Sequence, residues 1–295
     1  MKEIFLTAII DGTIESNLKA MGYSSRICVG LRKEMGLVSI INNGKKTAVI
    51  LPHIVNKNQQ FCINIKENIS RQISPYNLSL NIVYEDDDLA VIDKPSGLAV
   101  ISTHNHYGKS LENALANIWG SNFVYRPVNR LDRDTSGLMI VAKNKLAHSL
   151  LTKSKINRQY LAIVDGIITQ NGIIDAPLET KNSQSMIRVV SPTGKSATTI
   201  YEVIKTYPDK NYSLIKCTLL TGRTHQIRAH MHHIGHSLCC DKLYNLSPKE
   251  IICPNGEKLN RQALHSYTIE FTHPMTKQII KLASVPIFCN KYDII

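Results

Sequence analysis

The sequence predicts an α+β fold, a mixed and largely antiparallel sheet with flanking helices, preceded by a small α/β unit. Three observations point there. Runs of β-rich residues alternate with amphipathic segments without the regular strand–helix rhythm of a doubly wound sheet. Hairpin signals such as Asn43-Gly44 join neighbouring runs directly. The chain of 295 residues is long enough for two domains. The expected division is a unit over residues 1–67, a linker over 68–80 and a second domain over 81–295.

Taken in order, the segment TIESNLKAMGYSSRICVGLRKEMG from Thr13 spaces Leu18, Met21, Ile27 and Leu31 at helical intervals. Gly22 and a helix-start signal at Ser24-Ser25 break it into two short helices. VSIINNGKKTAVILP then reads as a hairpin, punctuated like the helices by cations: Arg26, Arg32, Lys33, Lys45 and Lys46. The polar stretch NISRQISPYNLSL reads as the linker. IVYEDDDLAVIDKP reads as two strands around an acidic turn, and Lys94-Pro95-Ser96-Gly97 as a β-turn, because proline presets the second position and glycine suits the fourth. KSLENALANIWG places Leu111, Ala114, Leu115 and Ile118 on one helical face. GLMIVAKN reads as a buried strand, NKLAHSLLTKSK as a helix and RQYLAIVDGII as another strand. YSLIKCTLLTG is a strand leading into the helix THQIRAHMHHIG, and LHSYTIEFTHP with KQIIKLAS closes the chain as a hairpin.

Composition narrows the function. The hydrophobic fraction of 43% and charged fraction of 20% are those of a globular protein. No apolar run approaches the roughly 18 residues that span a bilayer, and no signal peptide is read, so the expected location is the cytoplasm and no membrane partner is expected. The formal net charge of +12 favours a polyanionic partner, because neutralising phosphates releases counterions. The seven cysteines contain no C-x-x-C pair and read as reduced thiols. The segment HMHHIGHSLCC from His230 lacks standard zinc spacing, so no metal site is expected. His104-Asn105-His106 reads as a loop before a helix. A monomer is the default.

The stretch RPVNRLDRDTSGLMIVAKN, residues 126–144, sets Asp132 in a turn at the entrance of the buried strand, among cations. A carboxylate held by arginine keeps its charge and suits a nucleophile or an electrostatic stabiliser. It is equally the pattern of a surface aspartate capping a turn with Thr135 and Ser136. Spacing alone leaves both readings open.

R-L-D-R-D-T-S-G-L followed by an apolar strand and A-K resembles the signature of RluA-type RNA pseudouridine synthases. EDDDLAVIDKPSGLAV, RQYLAIVDG, LLTGRTHQIRAHMHHIGH and LHSYTIEFTHP resemble further segments of that family in the family's order, together spanning roughly residues 81 to 275. Residues 1–67 resemble, more loosely and in degenerate form, the RNA-binding module of ribosomal protein S-four type. The resemblance implies isomerisation of uridine to pseudouridine in RNA without a cofactor. Large-subunit ribosomal RNA is the expected substrate, with transfer RNA as the alternative. It makes Asp132, not Asp134, the catalytic carboxylate, with Tyr160 stacking on the base and Arg228 pairing with Asp132. It also places Arg130, Leu264, Lys94 and His225 in substrate binding. Asn129 stands where many relatives have histidine. The rivals are a non-catalytic RNA-binding or ribosome-assembly factor on the same scaffold and, more weakly, a nuclease or glycosidase using Asp132 with Asp134.

Overall fold

The computed structural model describes residues 2–67, 69, 71–102, 107–182 and 185–289. His104-Asn105-His106 lies outside these residues. The main sheet runs Gly172–Asp175, Thr198–Tyr207, Tyr212–Leu219, Ile156–Asp165, Leu264–Thr272, Ser136–Ala142, Leu89–Lys94, Asn81–Glu85, with Ile279–Ala283 also pairing with Leu264–Thr272. Every pairing in this sheet is antiparallel except one, where Leu264–Thr272 lies parallel to Ser136–Ala142 through His265↔Ser136 and Ser266↔Gly137. The mixed α+β architecture is therefore observed.

Alternation along the strands divides the core. Tyr160, Ala162 and Val164 join Met139, Val141 and Leu264 in a cluster covered by Leu111 and Leu115 of the helix Leu111–Trp119 and by Ile227 and Met231 of the helix Gln226–His233. Leu161 and Ile163 face the opposite side, among Leu214, Ile251 and Leu259.

The parallel pair explains the glycine of the aspartate segment. Gly137 has φ 110°, and a Cβ there would stand 2.3 Å from the Ser266 carbonyl oxygen. Only glycine lets the two backbones approach so closely. That contact sets the loop ending in Ser136 against the start of the Leu264 strand.

The N-terminal unit holds the two expected helices, Ile14–Ala20 and Ser25–Arg32, and the expected hairpin, Val38–Asn42 with Lys45–Val49. Thr13 caps the first helix by accepting a hydrogen bond from the Ser16 amide. Two strands absent from the sequence reading, Lys2–Thr7 and Gln60–Ile65, complete a four-stranded antiparallel sheet. The unit is not isolated. Leu146, from the helix Lys145–Leu151 of the main domain, is buried in its core, and Leu150 packs beside it. The segment read as a linker is docked as well. The Ile73 amide donates to the Ser121 carbonyl, the Tyr76 amide to the Asn113 carbonyl, and Asn113 Nδ2 to the Ser74 carbonyl.

Candidate active site

A cleft of about 760 Å³ opens where the loop before Ser136–Ala142, the strand Ile156–Asp165 and the N-terminus of the helix Gln226–His233 converge. Asp132, Arg130, Tyr160, His225, Arg228 and Leu264 all line it. Six of the seven residues singled out from sequence thus meet in one place.

Asp132 is positioned by its own turn, its carbonyl accepting from the Thr135 amide at 3.2 Å. Its side chain is partly exposed to the cleft. Oδ2 accepts from Arg228 Nη1 at 3.0 Å and lies 3.7 Å from His225 Nε2. Among the described residues no donor reaches Oδ1, which leaves that oxygen open to an incoming ligand.

Arg228 is held from behind by a residue the sequence reading missed. Asp241, fully buried, accepts from Arg228 Nε at 2.7 Å and from Nη2 at 2.8 Å. This two-pronged pairing fixes the plane of the guanidinium, so that Nη1 is left to face Asp132. Burial works against the charge of Arg228, but Asp241 and then Asp132 more than offset it, and its pKa stands above the ordinary range. Tyr244 supports the group: the Arg228 guanidinium lies 5.0 Å over its ring, with His225 and His232 edge-on at 5.8 and 5.9 Å. The helical side shared by His225, Arg228 and His232 is therefore the side that packs on Tyr244. Asp241→Asn is expected to lower turnover about a hundredfold by loosening the guanidinium. RNA affinity should hold within about threefold, which single-turnover rates and filter binding on the same RNA will separate.

His225 sits at φ 55° just before the helix, a left-handed conformation that non-glycine residues adopt at a cost. The result is to aim Nε2 at Asp132 while Nδ1 meets the Tyr244 hydroxyl at 3.2 Å. Burial lowers its pKa, with Asp132 pulling the other way, and the ring is held toward its neutral form.

Tyr160 is buried, and burial pushes its phenol up, an effect to which Asp132 adds and which Arg158 opposes. A phenol kept protonated is a stacking surface and a hydrogen-bond donor before it is a base. Leu264 opens the strand Leu264–Thr272 and forms part of the apolar floor with Tyr160. Arg130 is exposed at the mouth. Asn129 Oδ1 accepts from the Ile140 amide at 2.9 Å, so it ties the loop to the strand without carrying charge.

Lys94 departs from expectation. Its side chain is fully buried, and Nζ donates to the carbonyls of Pro95, Leu98 and Arg133 at 2.8, 2.9 and 2.9 Å. All three ammonium protons are committed, so it pins the turn after its strand to the Asp132 loop instead of meeting substrate. Burial pushes its pKa down to about 7. Lys94→Met is expected to cost about 3 kcal/mol of stability, read from the urea midpoint, by leaving buried carbonyls unpaired. A phosphate contact would instead make the salt dependence of RNA binding shallower, by about 0.7 to 0.9 in log–log slope.

Asp134, the alternative carboxylate, is chelated by Arg133 through Nε and Nη2 at 2.9 and 3.0 Å. Burial raises its pKa, but Arg133 prevails and the net shift is downward. It is absent from the cleft lining. The histidine segment is engaged in structure: His230 is buried between Thr199 Oγ1 and the Ala176 carbonyl, each at 2.9 Å, and His236 Nδ1 meets the Asp165 carbonyl at 2.8 Å. Among the described residues, one group could present three ligand atoms to a metal: Asp86, Asp88 and His273. Its atoms are tied to one another and to Tyr84, Leu89 and Asn144, and it lies outside the cleft.

Residues 88–233 match the family model described as RNA pseudouridylate synthase. The chain is 43% identical over 227 residues to the ribosomal large subunit pseudouridine synthase D of Zymomonas mobilis, covering 72% of this chain and 71% of that one. It belongs to the RluA-type RNA pseudouridine synthases. The uncharacterized RNA pseudouridine synthase YlyB of Bacillus subtilis is 37% identical over 255 residues, covering 82% of this chain and 80% of the relative. Among solved structures, the human RNA pseudouridylate synthase domain containing 1 shares the fold with a TM-score of 0.57 at 22% identity, covering 72% of this chain and 85% of that one. The protein is accordingly an isomerase that converts uridine in RNA to pseudouridine.

Proposed function

We propose that this synthase modifies uridine in large-subunit ribosomal RNA, with Asp132 as the carboxylate that acts on the nucleotide. The observation that carries the assignment is the Asp132–Arg228 pair at 3.0 Å in the lining of the cleft, with one carboxylate oxygen open. The name of the Zymomonas relative, which specifies the large ribosomal subunit, favours that RNA over transfer RNA.

The reaction breaks the bond from uracil N1 to C1′ of the ribose, turns the base, and joins C5 to C1′; the C5 proton leaves to solvent and a proton returns to N1. A base stacked in a helix cannot present that bond, so the nucleotide must be flipped into the cleft. Unstacking costs a few kcal/mol and least in a loop. Tyr160 and Leu264 offer the everted base an aromatic face and an apolar floor. Arg130 at the mouth takes the backbone or fills the vacated stack. His225, neutral and locked against Tyr244, stands beside Asp132 without adding charge. Asp132 attacks C1′, adds to the uracil ring or removes a sugar proton; each route needs an ionised carboxylate with a free oxygen, shielded from bulk water.

Residues 1–67 are assigned to gripping RNA beyond the target. In support, Arg26, Lys33, Lys66 and Lys145 line a second cleft of about 270 Å³ where this unit meets the main domain. The test of the function is tritium release from C5-labelled transcripts of large-subunit ribosomal RNA, set against labelled transfer RNA. Release from the ribosomal transcript is expected. Release from transfer RNA alone would move the substrate, and release from neither would end the assignment.

A further inference from the structure

Arg158 precedes Tyr160 by two residues on the strand Ile156–Asp165, so both side chains leave the same face of the sheet, and both line the cleft. The Arg158 guanidinium lies over Gly222: a methyl group at that glycine would stand 3.3 Å from Nη2 and 3.4 Å from Nη1. Glycine at 222 leaves the room the guanidinium occupies. Arg158 Nε is buried and without a partner, and among the described residues no carboxylate pairs with the group. Arg130 stands exposed at the mouth of the cleft, and the other neighbouring cations are engaged. Arg228 holds Asp132 and Asp241, Arg133 chelates Asp134, Arg223 Nε donates to the Ser196 carbonyl at 2.9 Å, and Arg261 Nη2 donates to Ser136 Oγ at 2.9 Å.

A half-buried guanidinium with an orphaned N–H is costly in the free protein. Its balancing charge must arrive with the ligand. Of the groups an RNA substrate brings, the uracil is neutral and the phosphodiester is the anion, and a guanidinium fork matches two phosphate oxygens. Two residues along an extended strand is about 7 Å, which sets the anion beside the base on Tyr160, not beneath it.

We propose that Arg158 binds a phosphodiester adjoining the everted uridine, with Gly222 as the floor under its guanidinium. This rests on the RNA substrate assigned above. The test uses the full chain, unaltered and as Arg158→Gln and Arg158→Lys, on a large-subunit ribosomal RNA transcript tritiated at uracil C5, with KM and kcat measured across potassium chloride concentrations. Arg158→Gln is expected to raise KM about tenfold with kcat within about twofold. It should also make the plot of log KM against log salt shallower by about 0.7, one single-strand phosphate contact. Arg158→Lys should restore the slope but only part of the KM, since an ammonium lacks the fork. The slope does not depend on what fraction of a variant folds. A raised KM with an unaltered slope would assign Arg158 to the neutral base edge and overturn the phosphate contact, and unaltered KM and slope would overturn it entirely. If the unaltered enzyme releases no tritium, the substrate assignment fails, and filter binding of the same transcript across the same salts then decides the Arg158 contact by the same slopes.

Discussion

Asp132→Asn is expected to abolish isomerisation, lowering tritium release from C5-labelled RNA by more than about 10⁴-fold while RNA binding survives. Asparagine keeps the size of the side chain and an oxygen able to accept from Arg228 Nη1, now at 3.0 Å from the carboxylate. The turn is held by backbone, through the Thr135 amide on the Asp132 carbonyl and Lys94 Nζ on the Arg133 carbonyl, and neither depends on the carboxylate. What is lost is the negative charge and the open oxygen. Removing an anion from a cationic cleft should leave affinity for a polyanion equal or slightly higher. The pairing of these two results is the diagnostic. Turnover within about tenfold of the unaltered enzyme would remove Asp132 from the chemistry.

Arg228→Ala is expected to fail twice, in activity and in stability. The guanidinium serves two carboxylates, Asp132 at the cleft and Asp241 in the interior, and their common counter-charge would vanish. Asp241 has no exposure to water, so its uncompensated charge should cost about 3 to 5 kcal/mol. Asp132 is partly solvated and loses less energy, but it loses the contact that orients it. Arg228→Lys separates the two effects. A single ammonium can relieve the buried charge yet cannot bond Asp241 with two prongs and still reach Asp132. Lysine should therefore recover much of the stability while turnover stays low, as urea midpoints and single-turnover rates would record. A fully active Arg228→Ala variant would contradict the role of the pair.

Much of the fold was legible because it depends on local rules. The period of the apolar residues located the helices around Leu115 and Ile227, and Asn43-Gly44 announced its hairpin. The strands Lys2–Thr7 and Gln60–Ile65 escaped notice because they pair with each other across more than fifty residues, and no tight turn joins either to its neighbour in the sheet. The docking of the linker segment at Ile73 and Tyr76 was not legible for a related reason: polar composition marks a segment that can be solvated, but not whether it finds carbonyls to bond.

At the site, the residue types of the aspartate segment were visible and their division of labour was not. Asp132 and Asp134 are two positions apart and chemically equal in sequence, yet one opens on the cleft and the other is closed by Arg133. Lys94 looked like a cation for RNA and is instead a buried pin. Asp241 carried no signal, because nothing in DKLY states that its carboxylate will meet a guanidinium thirteen residues earlier.

By itself, the sequence determined the family, the isomerase chemistry, the α+β class and the segments from which the site is drawn, because those follow from ordered motifs and from periodicities of two and 3.6 residues. Only the tertiary structure decided which carboxylate opens on the cleft, which cations are committed and which stand there without a partner. Burial and hydrogen-bond geometry settle the state of an ionisable group, and both are made by residues distant along the chain.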